Sequence, residues 1–254
     1  MYTMRIHCQL RNIIAFMQKK FPILTMSEPQ FTEVSPKYWE EKWDKRKIGF
    51  HRSHMDKLLE KHYDKLINGR HNIKIFFPLC GKSVDMKCLW DEGHTIIGVE
   101  CVRSALEEFF EEQSIKYTVS ELQDIEGSLF TSEDKRIRLY CCDLFKFNSD
   151  FEGKMDAVWD RASIVAINKD ERQRYSENLT SLLSPDCRYL LETLEYDETK
   201  YPGPPFYVSE QQVHDLFGDR MNITKLERAY ALEERHQTWG IDSLFENLFL
   251  MTLK

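Results

Sequence analysis

The sequence predicts an α/β layered fold built on a mainly parallel sheet, and three observations carry that reading. Residues 73–100 pass from a short apolar strand-like run through helix-like text to a second strand-like run, which is a βαβ unit. Further strand-like runs recur at 138–142, 155–159, 188–196, 223–230 and 244–253, with helix-like text at 170–183 and 209–217 between several of them. Such alternation needs crossover connections, which lay helices on the faces of parallel strands. Only residues 231–243 separate the last two runs, so an antiparallel hairpin is expected to close one edge.

Each element has its own signal. Residues 55–67 place Met55, Leu58, Leu59, Tyr63, Leu66 and Ile67 at helical spacing and stop at Asn68-Gly69, a C-terminal capping pair. The run from Ile73 to Cys80 is apolar without alternation, as in a strand buried on both faces. Residues 84–92 read as a helix ending at Gly93, and 95–100 as the second strand. Residues 103–113 set Leu106, Phe109 and Phe110 on one helical face against Glu107, Glu108, Glu111 and Glu112 on the other. Tyr201-Pro-Gly-Pro-Pro-Phe-Tyr207 is a stiff loop, and no repeat or linker divides the chain.

Composition narrows the function classes. The 254 residues are 42% apolar with 10 Gly and 8 Pro, the proportions of a soluble globular protein with one large core. Lys and Arg number 35 against 42 Asp and Glu, a net charge of -7 that disfavours phosphate-backbone binding, so no nucleic-acid partner is expected. No run approaches the ~20 apolar residues of a membrane helix, so no membrane partner is expected either. Seven cysteines without C-x-x-C spacing read as reduced thiols, which suits a cytoplasmic protein, taken here as a monomer. Residues 1–27 differ: they carry Arg5, Arg11, Lys19 and Lys20 and no acid. They are expected to be a disordered or mitochondrial-targeting extension, or an upstream start before Met26, ahead of a single domain at 28–254.

In an open α/β sheet the ligand crevice lies beyond the carboxyl ends of the strands. The first strand is followed by Leu79-Cys80-Gly81-Lys82, where Gly81 permits close backbone approach. The second ends at Glu100, placed to accept hydrogen bonds from two ribose hydroxyls. The G-x-G-x-x-G set that admits a pyrophosphate is absent, since Pro78 and Leu79 stand in its place. A nucleoside without phosphates therefore fits better than NAD or FAD, and S-adenosylmethionine is the common one. Asp143 follows the third strand, where a polar group meets an adenine edge, and Trp159-Asp160-Arg161 ends the fourth.

With these strand ends in place, the body closely resembles the thiopurine S-methyltransferase family of class I S-adenosylmethionine-dependent enzymes. The matching text is Phe76-Phe-Pro-Leu-Cys-Gly-Lys82, Gly98-Val-Glu100, Tyr140-Cys-Cys142, Trp159-Asp-Arg161, Val165-Ala-Ile-Asn168, Gly203-Pro-Pro-Phe-Tyr207, Glu233-Glu-Arg-His236 and Trp239-Gly-Ile-Asp242, across residues 36–254. The resemblance implies a Rossmann-like, seven-stranded, mainly parallel sheet with an antiparallel edge hairpin and helices on both faces. It implies an aromatic N-terminal segment, Trp39 and Trp43, closing over the cofactor, and a cradle of Leu79, Gly81, Glu100, Cys101, Asp143, Leu144 and Arg161. On the acceptor side it implies Phe50, Arg161 as the catalytic residue, Pro204, Pro205 and Arg235, with a small aromatic or heterocyclic thiol as substrate. Asp143 departs from the Ser that mammalian members tend to carry, and the text before residue 28 is unlike that of known members.

Other readings stand beside these. Trp39 and Trp43, four residues apart, also suit one apolar helix face docked on the core. His51, His54 and His62 lack an H-E-x-x-H or Cys/His cluster, so no metal is expected. The alternatives in function are a methyltransferase for another small acceptor (a small thiol, a halide or a selenium compound), or an inactive binding protein of the same fold.

Overall fold

The computed structural model describes residues 33–254, so the expectations for residues 1–27 lie outside the described residues. Helix α1 (Pro36–Asp44) starts at Ser35, whose hydroxyl accepts from the Tyr38 backbone N–H at 3.3 Å. Helix α2 (Lys57–Ile67) starts two residues later than its apolar periodicity suggests, because Asp56 caps it by accepting from Leu58 N and Leu59 N. It ends at Asn68 in the left-handed conformation (φ 53°). Then come β1 (Lys74–Phe77), α3 (Val84–Asp91), β2 (Thr95–Glu100) and α4 (Arg103–Glu112). The chain continues through β3 (Tyr117–Glu121), β4 (Ser128–Ser132), β5 (Ile137–Cys141), the one-turn α5 (Ser149–Glu152) and β6 (Met155–Asp160). It closes with α6 (Arg172–Ser181), β7 (Leu183–Tyr196), α7 (Glu210–Phe217), β8 (Met221–Tyr230) and β9 (Leu244–Leu253).

The sheet has nine strands in the order β3-β4-β5-β2-β1-β6-β7-β9-β8, which corrects the seven expected. Five strands, β5-β2-β1-β6-β7, are parallel, and β9 and β8 add antiparallel at one end as the closing hairpin. The two extra strands form a second hairpin, β3-β4, antiparallel to β5 at the opposite edge. They escape a pattern search because β3 is mostly exposed and its text, Tyr-Thr-Val-Ser-Glu, offers no apolar face. Gly127 leads into β4 at φ 149°, where a Cβ would lie 2.3 Å from the Cys141 carbonyl oxygen, so only glycine lets this hairpin meet β5.

The central strands bury both faces. Phe76 of β1 and Val158 of β6 point to one side with Tyr175 and Leu179 of α6 and Val213 and Phe217 of α7. Their neighbours Ile75, Phe77, Ala157 and Trp159 point to the other, with Leu59 and Leu66 of α2, Leu89 of α3 and Phe109 of α4. This two-sided burial explains the unbroken apolar run at 73–80. Gly98 in β2 is a close-packing position, since a Cβ there would sit 2.8 Å from both the Cys80 sulfur and a Leu139 methyl. β1 pairs with β2 on one side and β6 on the other, so the connection order reverses there and the carboxyl ends of these strands open a crevice.

Candidate functional site

A cavity of about 560 Å³ occupies that crevice. Its floor is the turn after β1, where Leu79 (φ 45°) and Gly81 (φ 50°) both take the left-handed conformation. Burial pushes the Glu100 carboxyl up from its ordinary value, and backbone N–H groups of Val102 and Gly81 pull it back, each donating at 2.9 Å. Gly81 N faces Oε2, and Val102 N faces Oε1 together with the weak thiol donor of Cys101, so of the roughly four acceptor positions of a carboxylate one is open and a second is held only by a thiol. A Cβ on Gly81 would stand 3.4 Å from the Trp43 ring, which shows how closely the indole lies over this turn.

The cavity roof is the N-terminal segment. Asn168 holds it by a two-way clasp: Val34 N donates to Asn168 Oδ1 and Asn168 Nδ2 donates to the Val34 carbonyl, both at 2.9 Å. Beyond the clasp α1 presents Trp39 and Trp43, whose rings meet Phe50 edge-on at centroid distances of 5.8 and 6.1 Å. Both indoles pack with Val102, Ala105 and Cys101 and also line the cavity, so docking and enclosure are the same contact. Lys82, buried beneath Trp43, is fastened by Glu108 and Glu112 at 2.7 and 2.6 Å. Asp143 caps the short turn after β5, accepting from Phe145 N at 2.9 Å with its Oδ1, and Leu144 lies beside it on the wall.

The thiols here are quiet. Cys101 lines the cavity and its Sγ lies 3.4 Å from Glu100 Oε1, as donor; burial and the Glu100 charge push this thiol far above its ordinary value. Cys142 is pushed up to about 12 by burial with the neighbouring Cys141 and Asp143. Neither of these two thiols offers a ready thiolate.

The other end of the cavity brings together Phe50, Arg161, Pro204 and Pro205. The proline loop is pinned by Tyr196 Oη donating to the Pro205 carbonyl at 2.6 Å and by Phe206 N donating to the Val165 carbonyl at 2.6 Å. Arg161 turns its Nε toward Asp56 Oδ2 at 3.1 Å and its two terminal nitrogens toward the Phe50 carbonyl, each at 3.4 Å. Arg235 is placed differently: it does not line the cavity, pairs with Glu233 at 2.7 Å, and donates to the Gly49 carbonyl next to Phe50.

Several cavity residues carry no chemical signal in the sequence. Asn168 sits in a matching motif but only the fold shows what it clasps. His51 lines the wall and burial, helped by nearby Lys82 and Arg161, holds its imidazole below the ordinary value, hence neutral at pH 7. Asp85, 3% exposed, accepts from Trp159 Nε1 at 2.9 Å and from Asp56 N at 2.8 Å, tying the acceptor end to α2 and α3.

A buried acceptor pair at the end of β2, a glycine under an indole and a carboxylate after β5 fit a nucleoside with a small cationic tail better than a dinucleotide. Comparison with known proteins agrees. The sequence profile of the family described as thiopurine S-methyltransferase (TPMT) matches residues 34–254. The chain is 49% identical over 217 residues to the probable thiopurine S-methyltransferase of Danio rerio, covering 85% of this chain and 94% of that one. It is 43% identical over 245 residues to the thiopurine S-methyltransferase of Canis lupus familiaris, covering 94% and 100%. Among solved structures, 1,6-didemethyltoxoflavin-N1-methyltransferase of Burkholderia thailandensis, determined with bound 1,6-didemethyltoxoflavin and S-adenosylhomocysteine, shares the fold at a TM-score of 0.56 and 13% identity, covering 91% of this chain and 98% of that one. A TehB-like S-adenosylmethionine-dependent methyltransferase of Corynebacterium glutamicum shares it at 0.51 and 12%, covering 86% and 98%.

Proposed function

This chain belongs to the thiopurine S-methyltransferase family, and we propose from its cavity how it performs the reaction of that family. The protein is an S-adenosylmethionine-dependent methyltransferase that methylates the sulfur of aromatic and heterocyclic thiols such as thiopurines. The observation that carries the residue assignment is one continuous cavity with the Glu100 and Gly81 cradle at one end and Phe50, Arg161, Pro204 and Pro205 at the other.

When bound, S-adenosylmethionine supplies an electrophilic methyl group on a sulfonium centre. Glu100 would hold the ribose hydroxyls with its open acceptor position and the one the Cys101 thiol occupies, Asp143 would meet the adenine amino group, and Leu79, Gly81, Cys101 and Leu144 would shape the cradle. Trp39, Trp43 and Phe50 exclude water, which matters because displacement by a thiolate brings opposite charges together and water opposes that loss of charge. The prolines hold the flat face of the acceptor, and Arg161 orients its sulfur or ring nitrogen. An aromatic thiol is more acidic than the ~8.5 of cysteine, so it ionises to solvent before transfer and needs no dedicated base. The raised thiol of Cys101 keeps this wall residue from competing for the methyl group.

The same reading takes the protein as a cytoplasmic monomer. Six cysteines without disulfides among the described residues support a reducing compartment, and no described helix is long and apolar enough to cross a membrane. Residues 28–254 form the catalytic domain, and 1–27 are an extension whose basic composition leaves mitochondrial targeting as the variant of this reading. The test is incubation with methyl-labelled S-adenosylmethionine and a panel of aromatic thiols. Labelled thioether in equal amount to S-adenosylhomocysteine is expected. A folded protein that binds S-adenosylhomocysteine yet labels no aromatic thiol would overturn the reading.

A further inference from the structure

Behind the acceptor end, two guanidinium groups face three carboxylates. Arg52, from the loop before α2, pairs with Asp56 at 2.6 Å and with Glu246 of β9. Arg161, at the end of β6, pairs through Nε with Asp56 at 3.1 Å and lies 3.7 Å from Glu192 Oε1 on β7. Glu192 is 4% exposed and its Oε2 has no hydrogen-bond partner. The groups facing it are Asp56 from the cap of α2, Arg52, Arg161 and Glu246, so with Glu192 itself the cluster holds three acids against two bases. Asp85 adds a further acid behind Asp56. Neither arginine at this end is therefore an unpaired cation awaiting an anionic ligand.

We propose that Glu192 sets the charge preference for the acceptor by competing with it for the Arg161 guanidinium, so that aromatic thiols bearing no carboxylate are the preferred substrate class. This rests on the acceptor-side assignment of Arg161. Burial, with the charges of Asp56 and Glu246, pushes the Glu192 carboxyl well up, while Arg161 and Arg52 oppose the shift. Protonated, Glu192 releases its hold on Arg161 and a carboxylate on the acceptor is tolerated. As pH rises and Glu192 ionises, the acceptor carboxylate meets a like charge that already occupies the same guanidinium. Glu192 does not line the cavity and acts through Arg161, so it is a positioning residue for specificity.

The experiment compares 4-mercaptobenzoate with 4-mercaptobenzamide at saturating S-adenosylmethionine from pH 6 to 9, in wild type and Glu192→Gln. The ratio of the two kcat/KM values isolates the distal charge, because both probes present the same aromatic thiol. In wild type the carboxylate-to-amide ratio is expected to be about tenfold lower than in Glu192→Gln, the scale of one like charge nearby in a partly screened site, and to fall with rising pH. In Glu192→Gln it stays high and flat. Glu192→Met, of similar volume, removes the same charge and gives the same flat ratio should the amide variant not fold. Ratios and pH courses that coincide in wild type and variants overturn the proposal alone; a wild type that turns over neither thiol overturns the acceptor reading as well.

Discussion

Glu100→Gln separates two roles that the structure gives one side chain. The carboxylate accepts from Gly81 N and Val102 N at 2.9 Å, and the proposed role gives the ribose its open acceptor position and the one held by the Cys101 thiol. Glutamine keeps the volume but has one oxygen, so it can serve one of the two backbone donors while its amide faces the other. One buried N–H left unpaired costs about 1–3 kcal/mol of stability. For a domain of this size each kcal/mol moves Tm by about 2–4 °C, so a fall of roughly 2–12 °C is expected. The ligand term is separate: loss of charge-assisted bonds to two hydroxyls should cost about 1.5–3 kcal/mol, or roughly ten- to a hundred-fold in Kd. Calorimetric titration of S-adenosylhomocysteine beside a thermal melt reads the two terms independently. A variant whose Tm falls while its Kd stays at the wild-type value would show that Glu100 only braces the turn after β1, and the cofactor assignment built on it would fail.

Other outcomes follow from single contacts. Gly81→Ala places a Cβ 3.4 Å from Trp43 at φ 50° and should raise the KM for S-adenosylmethionine several-fold with a smaller change in acceptor KM; equal change in both would count against the cradle. Asn168→Ala opens the clasp on Val34 and, by loosening the roof, should speed S-adenosylhomocysteine release about tenfold in stopped-flow, whereas an unchanged rate would mean the roof is held by its aromatic contacts alone. Arg235→Ala should raise acceptor KM by less than about tenfold, since its pair with Glu233 is exposed and its other contact reaches only Gly49; a larger loss, part-restored by Lys, would place it on the acceptor. Asp160, fully buried, is raised by burial to about 6, against the downward pull of Tyr189 and Tyr175, so the folded state holds a proton that the unfolded state releases near 4. Its contribution therefore makes stability fall as pH rises from about 4 to 6, by about 3 kcal/mol, and Asp160→Asn should flatten that part of a denaturation series; an unaltered slope would contradict it.

Much of this was legible from residue order, because it rests on local chemistry. Strands buried on both faces must be apolar throughout, so β1 and β2 show as unbroken runs, and Gly81 and Glu100 then fall at strand ends by counting alone. The α2 stop at Asn68 and the i, i+4 tryptophans Trp39 and Trp43 of α1 are likewise local signals. The β3-β4 hairpin was not legible, since an exposed edge strand buries no face and need not advertise one. Tertiary structure alone decided what long-range pairing assembles. Asn168 clasps a segment 134 residues away, Arg235 sits against Gly49 and off the cavity wall, and Glu192 and Glu246 come from two strands to surround arginines at 52 and 161. A charge carries no mark of its partner in the sequence: burial and geometry determine whether Arg161 meets a ligand, a carboxylate or both, and these arise only when the sheet brings β6, β7 and β9 side by side.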